Sequence, residues 1–153
     1  MKLFLIRHAV ADDGDDDAAR PLSADGERRF RRAVRGLSAL GVRFDRVLHS
    51  PRRRAVETAE LLTPLLDGDT EVSPLLTAAP SAELLSSLRG DALAVVGHEP
   101  HLSSLLAWLI AGPSSTARVS LKKGAVARLE GAPRPGGMRL TALLPLKVLR
   151  RLA

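Results

Sequence analysis

Three short apolar runs, each followed by a helix-forming stretch, constrain the fold of this chain more than any other feature. The first lies within residues 2–7 ("KLFLIR"), the second is Phe44 to Ser50 ("FDRVLHS") and the third is Asp91 to His98 ("DALAVVGH"). Short apolar runs with poor alternation read as strands buried on both faces, and such strands need helices above and below the sheet. Those helices are legible. Ser23 and Gly41 bracket residues 24–40 as N-cap and stop, and Phe30, Ala33, Val34, Leu37 and Leu40 recur at helical spacing opposite a face of arginines. "PRRRAVETAELLTPLL" (51–66) predicts a helix with Pro51 in its first turn. "SAELLSSLRG" (81–90) and "PHLSSLLAWLIAG" (100–112) predict two more, each ending on glycine.

An extended piece is expected at Glu71–Ser73. Two late strands are expected, "ARVSL" (117–121) with "GAVARLEG" (124–131), then "GMRLTALL" (137–144), with a turn at Gly131–Gly137 and a short or frayed helix in the tail from Lys147. The alternation predicts one three-layer α/β domain over residues 1–153: a mostly parallel central sheet flanked by helices, with a late antiparallel edge.

The chain has no cysteine, which removes disulfides, thiolate metal sites and thiol catalysis. Its first apolar run is too short for a signal-peptide core or a membrane span, so a cytoplasmic location is expected. The formal charge of +6 favours an anionic partner. Nucleic acid is a poor fit, because aromatic residues are only 3% of the chain and offer bases little to stack on.

The three strands also end alike. "IRH", "VLHSPRRR" and "VVGH" place Arg7, His8, Ser50, Arg54, Gly97 and His98 at carboxyl ends, where open α/β sheets bind ligands. Guanidinium groups match phosphate oxygens, and neighbouring positive charge keeps an imidazole neutral and nucleophilic. Such a set suits phosphoryl transfer to a histidine. A metal cluster is disfavoured: "HEPH" at 98–101 is not the zinc signature, and Arg7 beside His8 opposes a cation. The aspartates of "DDGDDDAARPLS" (12–23) lack the twelfth-position glutamate of a calcium loop. They read either as a solvated loop or as partners for pocket cations when no phosphate is bound.

"LIRHA", "RVLHSPRRRAVETAELL" and "VVGHEPHLSSLLAWL" resemble the histidine phosphatase superfamily. "RPLSADG" (20–26) and "LKKGAVARLE" (121–130) resemble its compact SixA-type phosphohistidine phosphatase branch, so that the likeness runs in order from Lys2 to about Glu130. The resemblance implies that His8 is the nucleophile, that Arg7, Arg54 and His98 bind and stabilise the phosphoryl group, and that Arg20 lies near the phosphate. It implies a two-step phosphatase with no metal or cofactor. The expected partner is a phosphohistidine-bearing protein or a small phosphorylated substrate, with no nucleic acid and no membrane, and the chain is expected to be monomeric. Relatives acting on esters use a carboxylate to protonate the leaving group, and no clear acid is visible here beyond Glu83, Glu99 and the 12–17 aspartates. A small-molecule phosphomonoesterase and a non-catalytic phosphate-binding domain are the rival readings.

Overall fold

The computed structural model describes all residues from Met1 to Ala153. In chain order its elements are β1 (Lys2–Arg7), α1 (Ala24–Ala39), β2 (Phe44–His49), α2 (Arg53–Leu61), β3 (Leu66–Val72), α3 (Ala82–Ser87), β4 (Ala92–Gly97), α4 (His101–Ala111), β5 (Val126–Gly131), β6 (Met138–Leu144) and α5 (Leu146–Arg151). One six-stranded sheet runs β3-β2-β4-β1-β5-β6. The first four strands are parallel, and β5 and β6 complete the sheet as antiparallel neighbours. This is the α/β sandwich expected from the sequence. β1 lies between β4 and β5 with Arg7 opposite Gly97, which brings the ends of β1 and β4 side by side.

Alternation along β1 explains the three layers. Phe4 and Ile6 enter the core shared with α1, α2 and α5, whereas Leu3 and Leu5 enter the core beneath α3 and α4. Ser23 caps α1 by accepting the Gly26 N–H at 2.9 Å, and Gly41 leaves the helix with φ +71°.

Three local expectations need correction. The helix after β2 begins at Arg53 with Arg52 as its N-cap, so Pro51 lies outside its first turn. It stops at Leu61 and gives way to a 3-10 turn at Thr63–Leu65, because Pro64 has no N–H to continue the ladder. The chain then pairs with the free edge of β2 as early as Leu66, so the strand expected at Glu71–Ser73 is longer and starts sooner. Residues 117–121 form no strand, and the Leu121 carbonyl accepts from Arg7 Nη1 at 2.8 Å instead of from a neighbouring strand.

The chain's last helix is ordered and packs on α1. Leu149 is fully buried, and a side chain at Gly36 would collide with the Leu149 carbonyl. Two helices therefore meet there on bare backbone. Helix propensity alone makes Gly36→Ala stabilising by about 1 kcal/mol. The packing predicts the opposite sign, a net loss of roughly 1–3 kcal/mol in urea unfolding; a gain would mean that α5 does not dock here.

Candidate active site

Strand parity decides which side chains meet. His8 and His98 follow β1 and β4 in step and emerge on the same side, with ring centroids 5.1 Å apart. Both are buried, at 5% and 3% exposure. Arg54, in the first turn of α2, completes the group from the next element, and its Nε lies 3.3 Å from His8 Nε2.

The hydrogen bonds assign the His8 tautomer. Nδ1 lies 2.7 Å from the Ala9 carbonyl oxygen, which can only accept, so Nδ1 carries the hydrogen. Nε2 therefore keeps its lone pair and faces the Arg54 N–H. Ala9 is held in turn, because its N–H donates to Thr58 Oγ1 at 3.0 Å and that hydroxyl donates to the Arg54 carbonyl at 2.6 Å. One fully buried threonine thus ties the loop carrying the His8 partner to the helix carrying Arg54.

His98 Nε2 lies 2.7 Å from Ser50 Oγ, which also accepts the Arg52 N–H at 3.2 Å. When the Ser50 hydroxyl donates to Nε2, the His98 hydrogen sits on Nδ1. That Nδ1 is buried and has no partner, and so is Arg7 Nε. An orphaned buried donor costs about 1–3 kcal/mol, and an oxyanion is a group that can satisfy one. The Gly124 N–H closes the back of the pocket on the carbonyls of Arg7 and His8, at 3.1 and 3.2 Å.

Burial pushes the His8 pKa down to about 4, the bond to the Ala9 carbonyl opposes this, and Arg54, Arg7 and Lys123 add to the fall. Burial takes His98 to about 3, helped by His8, Arg54 and Arg52 and opposed by Asp17. Both rings are neutral at physiological pH. Below about pH 6.5 unfolded imidazoles bind protons that the folded ones refuse, so stability declines as pH falls from there through about 4.

The aspartate-rich segment is folded. Ala11 bridges Leu22, the Asp12 N–H donates to the Pro21 carbonyl at 2.9 Å, and Asp17–Ala19 form a 3-10 turn capped by Asp16. Asp17 is aimed at the pocket. Its carboxylate lies 3.2 Å from Arg54 Nη2, 3.1 Å from Arg20 Nη1 and 3.6 Å from Arg52 Nη1. Hydrogen bonds from Arg20 and then Arg54 hold its carboxyl below the usual carboxylate range.

The structure gathers most of the residues singled out from the sequence around one pocket. His8, His98 and Arg54 touch directly or through one ring contact, the Arg7 guanidinium donates to the Leu121 carbonyl, and Arg20 joins through Asp17. Arg52 and Thr58 were missed as contributors. Arg53, by contrast, turns away to Glu57 at 2.9 Å. No group of three or more His, Asp or Glu side chains is arranged to hold a metal ion.

Because Asp17 shares the arginines an oxyanion would use, Asp17→Asn is expected to tighten inorganic phosphate binding about two- to fivefold by calorimetry, the range of an exposed ion pair. Weaker binding would instead make Asp17 a support that orients Arg54.

Comparison with known proteins agrees with this geometry. Residues 3–79 match the model of the histidine phosphatase superfamily (branch 1). The chain is 33% identical over 158 residues to an uncharacterized protein of Picosynechococcus sp., covering 93% of this chain and 90% of that one. It is 33% identical over 122 residues to the phosphohistidine phosphatase SixA of Escherichia coli, covering 73% and 76% respectively. Its fold superposes on the protein histidine phosphatase SixA solved with tungstate at a TM-score of 0.78, with 27% identity over 96% of this chain and 98% of that one. With its paired strand-end histidines and the arginine at the start of α2, the chain belongs to the histidine phosphatase superfamily.

Proposed function

We propose that this protein is a phosphohistidine phosphatase that works through a phosphorylated His8. The carrying observation is the single lone pair presented by His8 Nε2, in a ring held neutral at the meeting point of Arg54, Arg7 and His98. Nε2 attacks phosphorus in line, the P–N bond to the substrate imidazole breaks, and that imidazole leaves with the proton it already carries. Water then attacks the phospho-His8, giving phosphate and restoring the lone pair. Arg54, Arg7 and the His98 Nδ1–H offset charge on the equatorial oxygens. The arginines supply this charge without a metal.

The leaving group separates the reading from its neighbours. An alkoxide needs a proton from a carboxylic acid, whereas an imidazole leaving a protonated phosphoramidate does not. Glu99 is occupied: it accepts from the Ser103 N–H at 3.1 Å and from the Ser103 hydroxyl. Glu83 sits exposed in the first turn of α3. Asp17 is held ionised by its arginines.

The same Asp17 supports a second reading. It is the one carboxylate in an ion pair with Arg54, and phosphate entry would free it to serve as the acid of a small-molecule phosphomonoesterase.

Phosphate release is to be measured with EDTA from a phosphohistidine-bearing protein and from an alkyl phosphate monoester such as glycerol phosphate, side by side. The phosphohistidine protein is expected to be the better substrate, with release lost in His8→Ala and largely kept in Asp17→Asn. The rate is expected to fall as pH is lowered through about 4, where Nε2 takes a proton. A preference for the ester that collapses in Asp17→Asn would establish the esterase instead, and phosphate binding without turnover of either would leave a binding domain.

A further inference from the structure

The surplus positive charge of this chain is not spread evenly. Ten of its 23 Lys and Arg side chains have a carboxylate within ion-pair distance. A cleft of about 670 Å³ between α1, α5 and the turn before β5 is lined by seven cations and no carboxylate. Of the seven, only Arg29 is in an ion pair, with Asp25 on its own helix at 2.7 Å. The other six, Arg32, Lys122, Lys123, Lys147, Arg150 and Arg151, are unpaired.

Folding creates this concentration. The fully buried Leu149 seats α5 on α1, and the Arg32 guanidinium donates to the Arg150 carbonyl at 3.3 Å. Cations more than a hundred residues apart are thereby held side by side, and their mutual repulsion is borne without a compensating acid. A fold that needed charge only for solubility would gain by dispersing it.

One wall of the cleft adjoins the active site. Lys122 and Lys123 form one of its walls, and the next residue, Gly124, donates to the His8 carbonyl at 3.2 Å. Lys123 is close enough to lower the proton affinity of His8. A ligand in the cleft would lie beside a group being dephosphorylated.

We infer that the cleft docks an acidic surface of the phosphohistidine-bearing protein substrate, next to the phosphorylated residue. The inference rests on the phosphohistidine reading above and adds the charge character of the partner. The chemistry of the walls favours a protein carboxylate cluster. Small-molecule pockets are predominantly apolar with a few placed polar groups, yet here Leu146 and Pro145 are the only uncharged lining residues. No aromatic ring is present to stack a nucleic-acid base. Unpaired Lys and Arg ends at an open cleft suit a carboxylate patch, which they would steer and orient.

The test uses the full chain and three substrates: phosphoramidate, a phosphohistidine peptide flanked by Glu and Asp, and the same peptide flanked by Gln and Asn. At low salt the acidic peptide is expected to have a kcat/KM roughly tenfold above the neutral one, a difference lost at high salt. The double variant Lys122→Glu/Lys147→Glu is expected to abolish or invert that preference through KM while leaving phosphoramidate turnover unchanged, which also shows that it folds. Equal turnover of the two peptides by wild type, or a preference that survives charge reversal, would overturn the inference. So would a single-stranded oligonucleotide that suppresses acidic-peptide turnover more strongly than an unphosphorylated acidic peptide, since the cleft would then be a nucleic-acid site. Failure to turn over phosphoramidate and both peptides would strike the phosphohistidine reading first. In that case, tighter binding of an unphosphorylated acidic peptide to wild type than to the double variant still supports the cleft, and equal binding sinks it.

Discussion

The 2.7 Å hydrogen bond from His8 Nδ1 to the carbonyl of Ala9 sets the direction of the site's chemistry. An imidazole has two nitrogens and, when neutral, one hydrogen. Tying that hydrogen to the main chain of the next residue turns Nε2 into a lone pair facing Arg54. The bond requires Ala9 to be held still while the His8 N–H stays tied to the Gly97 carbonyl at 3.1 Å. Thr58 does the holding, four residues beyond Arg54 on the same helix face. His8 and Arg54 are thus referenced to one hydroxyl, and a shift of α2 moves both together.

The pocket is costly by itself. Two buried neutral rings and two orphaned donors stand among guanidinium groups, an arrangement that weakens the fold in acid. Asp17 offsets part of the cost by pairing with Arg54, Arg52 and Arg20, yet it stands at the exposed edge where an incoming anion can displace it. The unpaired cations between α1 and α5 lie outside that arrangement. No carboxylate of the chain reaches them, in contrast to the pocket, which carries its own in Asp17.

Much of this was legible in the sequence because its determinants are local. Caps such as Ser23 act within one turn, and doubly buried strands announce themselves by apolar runs whose ends carry Arg7-His8 and Gly97-His98. What escaped is non-local. Leu66–Val72 reads "LDGDTEV" and has little strand character of its own; it becomes β3 because β2 offers an edge. "ARVSL" has the composition of a strand but no ladder partner, since Arg7 takes the Leu121 carbonyl. Five similar aspartates follow His8, and nothing along the chain shows that Asp17, rather than Asp12 or Asp15, meets an arginine 37 residues away. Thr58 carried a faint signal, its fixed spacing from Arg54, but a threonine in an amphipathic helix reads equally well as packing.

The central claim is that the phosphoryl group passes through Nε2 of His8. The most direct measurement is to quench a single turnover of a phosphohistidine substrate in alkali and locate acid-labile phosphate on the chain by fragmentation and ³¹P NMR. The account predicts a transient label on His8 alone, on Nε2, rising before free phosphate and decaying with it. A label on His98 or on Nδ1, or phosphate released with no labelled chain at any time, would contradict it.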